Sequence, residues 1–364
     1  MNLFLDVLFN NQLNVLLGFS VTFIASIFIV LTKKYHGKIS FDLNTGIQKV
    51  HKYSTPRIGG IGVLIGILII IPLNTKGAIS LFNLIIICSL PIFIIGLLED
   101  LTKKISVRVR FSITALSALL YVFLSGFLIK DIGIEYINLY LSNPIISVIF
   151  TVFCISGVTN SINIIDGYHG LASGTSIIML ISIAIISDHY DDVELRNISI
   201  TMSSIIFGFF IVNYPFGKLF LGDAGAYLIG FIISIFAMIL PIRNDEISPW
   251  VSLLILIYPV TETIFSILRR LISKKQPISK PDDNHMHHRV HKLIVLKIYR
   301  YFNISRANNA LTSTIMFSFP VSTLFWTMFS DYKAYDANNY ILCFFLVYVI
   351  FYIATVVVER FLNA

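Results

Sequence analysis

The residues of this chain that could do chemistry are acids, amides and imidazoles placed where apolar runs end. From Asn160 to Gly174 it reads Asn-Ser-Ile-Asn-Ile-Ile-Asp-Gly-Tyr-His-Gly-Leu-Ala-Ser-Gly. Asn160, Asn163 and Asp166 offer oxygens at three-residue spacing, and Gly167 and Gly170 let the backbone approach a ligand closely. An ionisable group costs about 2.5 to 3.5 kcal/mol at a bilayer centre and less near the interface, so Asp166 and His169 are functional candidates. Glu99 and Asp100 are adjacent and are followed by Lys103, Lys104, Arg108 and Arg110. Two carboxylates there would bind a divalent metal or position a cation, and the cations would attract phosphate; a snorkelling helix end is the plain alternative. In Leu219–Ala226, Asp223 lies between Gly222 and Gly225, which suits a metal ligand with nearby amides for an anion, or else a helix cap.

His285, His287, His288 and Arg289 form a further cluster. Three histidines suggest zinc, but no second cluster supplies the spacing of a structural site, so their use as donors to phosphate oxygens is preferred. Lys49 and His51 precede a Pro56-Arg57-Ile58-Gly59-Gly60 turn that re-enters an apolar stretch. Pro259 and Glu262 interrupt another apolar run, where a bend would open a groove for a lipid tail.

These residues need a membrane scaffold to position them. The chain is 56% hydrophobic and only 13% charged, far from the soluble average of about 25% charged. Apolar runs near 14–31, 58–73, 80–98, 111–129, 145–160, 174–187, 198–213, 226–242, 249–268, 307–329 and 340–358 predict an all-α polytopic bundle of about eleven spans with a kinked ninth helix. With the amino terminus outside and the carboxyl terminus cytoplasmic, 22 of the 27 Lys and Arg residues face inward. That bias accounts for most of the formal +7 charge without nucleic acid. It also places the segments 32–57, 99–110, 160–174, 213–226 and 269–306 on the cytoplasmic side of a single transmembrane domain. Cys88, Cys154 and Cys343 lie in apolar runs and read as packing residues, and no cleaved signal is expected.

Taken together, these motifs resemble those of the polyprenyl-phosphate N-acetylhexosamine-1-phosphate transferases, over about Asp42 to Arg289. Lys49–Gly60 looks like the segment after the first helix of that family, and Glu99-Asp100 stands at its Asp-Asp pair. Asn160–Ala172 is similar to its Asn-x-x-Asn-x-x-Asp-Gly loop, Gly222-Asp223 to its Gly-Asp-x-Gly loop, and His285–Arg289 to its histidine motif. Glu99 replaces the usual first Asp, and His169 stands where a second Asp or an Asn is usual. Ala226 stands where Ser is common, and Glu262 where Asp often follows the helix break. The form His-x-His-His-Arg is closer to the sugar-1-phosphate branch than to the muramoyl-pentapeptide branch.

The resemblance implies transfer of an N-acetylhexosamine 1-phosphate from a UDP-sugar to undecaprenyl phosphate in a bacterial inner membrane. It implies Mg2+, with Mn2+ in its place an option, held by Asp223 first and then by Asn163 or Asp166. Glu99, Asp100, Asp166 and His169 fall at catalytic positions, although an imidazole at 169 cannot act as a carboxylate. Lys49, His51, Lys103, Lys104, Asn160, His285, His287, His288 and Arg289 fall at substrate-binding positions. Membrane lipids are expected partners, a homodimer is left open, and a polytopic secondary transporter is the competing class.

Overall fold

The structure is a computed structural model that describes residues 2–42, 54–71, 81–273, 284–295 and 308–363. Lys49 and His51 lie outside these residues. In chain order the elements are α1 (Asn2–Leu31), α2 (Lys33–Ser40), β1 (Phe41–Asp42), β2 (Thr55–Pro56), α3 (Gly59–Ile70), α4 (Leu81–Thr102), α5 (Val107–Ser125) and α6 (Glu135–Leu141). They continue as α7 (Pro144–Ile165), α8 (Leu171–His189), α9 (Val193–Asn213), α10 (Gly222–Arg243), α11 (Pro249–Ile255), α12 (Ile257–Ser273) and α13 (Met286–Val290). A π-helical turn over His291–Val295 follows, then α14 (Asn308–Met316), α15 (Ser318–Phe329) and α16 (Ala334–Asn363).

Each of the eleven apolar stretches is helical over most of its described residues. Among the described residues eight helices are long and apolar enough to cross a membrane, and the α11–α12 pair, bent by 79°, would make a ninth. The break falls at Leu256 because Pro259 has no N–H for the carbonyl of Ile255 and its ring crowds that carbonyl. The stretch 307–329 divides at Phe317 for the same reason, with Pro320 leaving the Met316 carbonyl without its helical donor.

Helix α10 is the axis of the bundle. It is apolar on every side, as a helix surrounded by other helices must be. Of its most apolar window 89% is buried, against 22% for α1 and α16. It packs on α3, α4, α7, α8 and α11. Two glycines permit the closest of these contacts: a methyl group on Gly60 would lie 2.4 Å from the Gly225 nitrogen, and one on Gly96 would lie 2.7 Å from the Ala224 backbone.

Three segments expected to be loops are helix where the site residues sit. Asn160 and Asn163 belong to the last turns of α7, because Asn160 and Ser161 bond back to the carbonyls of Ser156 and Gly157 at 2.8 Å each. Polar side chains satisfied in this way do not end a helix. Glu99 and Asp100 form the last full turn of α4, which stops where Lys103 turns left-handed at φ 56°. Helix α10 begins at Gly222, four residues before the predicted start at 226.

Candidate active site

The first turn of α10 organises the site. Gly222 adopts φ 77°, and a Cβ there would meet the Arg57 carbonyl at 2.4 Å and Asp100 Oδ2 at 2.6 Å. Only glycine allows this turn and this approach. Asp100 is 1% exposed, and its two oxygens accept the backbone amides of Asp223 at 2.8 Å and Ala224 at 2.9 Å. The carboxylate of α4 thereby satisfies orphan donors of α10 and lies at the favourable end of its dipole.

The segment before α3 is laced to the same turn. Phe220 N donates to Pro56 O at 2.8 Å, Gly59 N to Phe220 O at 2.9 Å, and Gly60 N to Leu221 O at 2.9 Å. This lacing delivers Arg57, whose Nε lies 3.3 Å from Asp100 Oδ1 and whose Nη2 lies 2.5 Å from Asp223 Oδ1. Arg110, from the first turn of α5, bonds the other Asp223 oxygen, and Asn163 Nδ2 donates to Asp223 Oδ1 at 3.2 Å. Asp223 is therefore met by two guanidinium groups and an amide from three separate elements.

Asp166 caps the end of α7. Its side chain makes no hydrogen bond among the described residues. Desolvation pushes the Asp166 carboxyl well above the ordinary carboxylate range; Arg57 opposes this, and the carboxylates of Asp223 and Asp100 add to it. An acid in this condition seeks a cation.

The histidine segment packs against the residues that follow Asp166. A Cβ on Gly167 would lie 3.7 Å from His287 Nε2, and the Tyr168 hydroxyl is 2.9 Å from His288 Nδ1. His285 and His287 stack at 5.3 Å with their planes 3° apart. Burial, then the neighbouring His288 and His285, holds His287 well below the usual imidazole range, so its ring stays neutral.

Arg57, Glu99, Arg110, Asn160, Asn163, Asp166, Asp223, His285, His287 and His288 all line one cavity of about 2090 Å³. Its wall continues through apolar residues such as Phe153, Ile164, Leu253 and Ile267.

Several predicted site residues face elsewhere. His169 donates from Nδ1 to Pro215 O at 3.1 Å, packs on Phe220 and shapes the 214–220 loop, outside the cavity wall. Burial lowers its affinity for a proton, and the Pro215 carbonyl partly offsets that. Arg289 is drawn away by the last helix: Nε bonds Thr355 Oγ1 at 2.9 Å, Nη2 bonds Glu359 Oε2 at 2.7 Å, and the guanidinium lies 5.1 Å from the Tyr352 ring. Lys103 donates to Phe41 O at 2.8 Å, and Lys104 is exposed. Glu99 accepts the Ile105 amide at 2.7 Å, closing the turn after α4 while still reaching the cavity.

Sequence reasoning named Arg110 only as one of four cations that would attract phosphate, and gave Arg57 no role beyond its turn. Each is a cation next to an apolar run, which inward charge bias alone explains. The available signal was the need of Asp223 for a counter-charge at a membrane boundary.

A family model described as glycosyl transferase family 4 matches residues 82–241. A probable undecaprenyl-phosphate N-acetylglucosaminyl 1-phosphate transferase of Bacillus subtilis (strain 168) is 30% identical over 291 residues, covering 77% of this chain and 80% of that protein. An undecaprenyl-phosphate alpha-N-acetylglucosaminyl 1-phosphate transferase of Thermotoga maritima is 30% identical over 266 residues, covering 73% and 77% of the two chains. A similarly named protein of Yersinia pestis is 27% identical over 267 residues, covering 72% of each. The chain belongs to the polyprenyl-phosphate N-acetylhexosamine-1-phosphate transferase family.

Proposed function

We propose that the protein transfers N-acetylglucosamine 1-phosphate, or a closely related amino sugar 1-phosphate, from a UDP-sugar to undecaprenyl phosphate with release of UMP. The reaction begins a lipid-linked surface glycan such as O-antigen, at the cytoplasmic face of a bacterial inner membrane. The observation that carries the reading is the meeting of Asp166 and Asp223 with Arg57, Arg110 and three histidines on one cavity whose wall extends over many apolar residues, with Asp100 buried behind Asp223 and holding its turn. A phosphate-handling head joined to a greasy groove suits a lipid phosphate acceptor. Transport sites lie near the bilayer midplane, whereas these three acids occupy the end of α4, the end of α7 and the start of α10.

An oxygen of the lipid phosphate attacks the phosphorus that bears the sugar, and the bond from that phosphorus to the UMP oxygen breaks. The anomeric bond stays intact. With a second pKa near 6, a phosphate monoester is largely dianionic at pH 7 and needs little base catalysis. Asp100 is accordingly a positioning group that sets the first turn of α10. Arg57 and Arg110 neutralise charge on the phosphates as they accumulate it, and His285, His287 and His288 line the same cavity.

The residues present fit magnesium. The Asp166 side chain has no hydrogen bond among the described residues, and the neighbouring Asn163 and Asp223 offer further hard oxygen ligands. No group of three or more His, Cys, Asp or Glu able to hold a metal occurs among the described residues. Magnesium commonly takes one or two protein carboxylates and completes its shell with phosphate and water. Asp166, Asn163 and Asp223 would hold it, and once bound it would polarise phosphoryl oxygens and disperse transition-state charge.

The test is UMP release by purified protein supplied with UDP-N-acetylglucosamine, undecaprenyl phosphate and magnesium. Release that depends on all three and falls sharply in Asp223→Asn is expected. Release indifferent to both the metal and Asp223→Asn would defeat the reading.

A further inference from the structure

Glu262 is a carboxylate 1% exposed, in the half of the bent span that follows the break. Its Oε1 lies 3.0 Å from His285 Nδ1 and accepts the Met286 amide at 2.8 Å, while Oε2 accepts the Tyr348 hydroxyl at 2.9 Å. Three donors from two distant segments meet one buried acid, 23 and 86 positions away for His285 and Tyr348. A peptide amide can only donate, so Oε1 acts as an acceptor at this junction. Where Oε1 is a carboxylate oxygen it accepts from both neighbours, and the imidazole nitrogen on it then carries the proton.

From these contacts we propose that Glu262, steadied by Tyr348, is a positioning residue for His285. It fixes the ring with its Nδ1 proton on the carboxylate and makes Nε2 the nitrogen that meets the donor's phosphate oxygens. Stacking on His287 sets the plane of the ring, and His285 forms part of the cavity wall. The anchoring is tertiary: Tyr348 is fully buried in α16, and the same helix holds Arg289 through Thr355 and Glu359. The last helix thus acts as a backing plate for the histidine segment. Metal-binding histidines are oriented in the same way by a carboxylate on the far nitrogen, and loss of such a partner there commonly costs about 10–100-fold.

The inference rests on the transferase reading, and the experiment separates the two. Full-length protein in lipid nanodiscs is assayed for UMP release, varying UDP-N-acetylglucosamine and undecaprenyl phosphate independently. Glu262→Gln keeps the size and an acceptor oxygen but removes the charge; the expected result is a KM for the UDP-sugar raised roughly tenfold, with the KM for the lipid little changed. In the His285→Asn background, Glu262→Gln should add nothing, as a double-mutant cycle demands of a residue acting only through His285. Tyr348→Phe should raise the same KM by about two- to tenfold, and it carries the test if Glu262→Gln does not fold.

Equal KM changes for both substrates, or effects of Glu262→Gln and His285→Asn that simply add, would overturn the proposal while leaving the transferase reading intact. A wild-type protein that releases no UMP would defeat the transferase reading. The ring-15N spectrum of histidine-labelled protein reports the tautomer independently: the signal lost in His285→Asn should show protonated Nδ1, and the opposite pattern overturns the assignment.

Discussion

Asp100, at the end of α4, holds the first turn of α10 through the amides of Asp223 and Ala224, so the placement of Asp223 depends on a residue 123 positions earlier. A carboxamide can accept one of those amides but turns an NH2 group toward the other. Asp100→Asn is expected to lower stability by about 1–2 kcal/mol, the usual cost of a lost cap, and to lower the rate as Asp223 loses its position. Thermal unfolding and UMP release on the same preparation check this. A rate loss with no stability loss would argue that the acid serves the acceptor directly.

Arg57 spans two acids, with Nε toward Asp100 and Nη2 toward Asp223. A lysine is a single point charge and cannot span both. Arg57→Lys should reduce kcat/KM by roughly tenfold or more, equivalent to at least ~1.4 kcal/mol of transition-state stabilisation. Arg110→Lys should act similarly, because Arg110 faces the second oxygen of Asp223. Steady-state kinetics with the donor varied provides the measurement.

Asp166 is desolvated beside two other carboxylates, and its side chain has no hydrogen bond among the described residues. Asp166→Asn should therefore stabilise the metal-free protein, by less than the roughly 1–3 kcal/mol of a fully buried unpaired group because Asp166 is half-buried. Wild-type protein should gain thermal stability on addition of magnesium, and the variant should gain little. Unfolding curves with and without the cation distinguish this from a simple packing role.

His291 sits behind the histidine segment, 2.9 Å from Thr312 Oγ1, and burial lowers its pKa to about 4 from 6.5. A depressed value means that the stability is present above 6.5 and is lost as pH falls toward 4. The shift corresponds to about 3 kcal/mol, lost in full only once the ring is protonated in the folded protein as well, below about pH 4. His291→Asn, which keeps a polar partner for Thr312 but does not titrate, should flatten the acid limb of the stability profile between those values. Unfolding midpoints measured across that window report the outcome.

Which of these features the sequence could reveal follows from their physical range. Apolar runs announce membrane helices locally, and Gly222-Asp223 and Asn160–Gly174 stand out because glycine and acid are costly where a span ends. Helix boundaries were harder to read, since Asn160 and Ser161 look like loop residues yet bond to their own helix. Arg57 and Arg110 resembled ordinary inward-facing cations; their partner lies 166 and 113 positions away. Arg289, expected at the phosphates, is claimed by Glu359 seventy residues later, which motif spacing cannot show. Pairings of this kind depend on how helices are arranged around α10.

The intimate seating of Gly60 and Gly96 against Gly225 and Ala224 has a consequence for how this protein tolerates change. One added methyl group at either position acts as a wedge between backbones, levering the N-terminal turn of the central rod away from its neighbours. Random mutagenesis should therefore yield null alleles at positions that never touch a sugar, a nucleotide or a lipid.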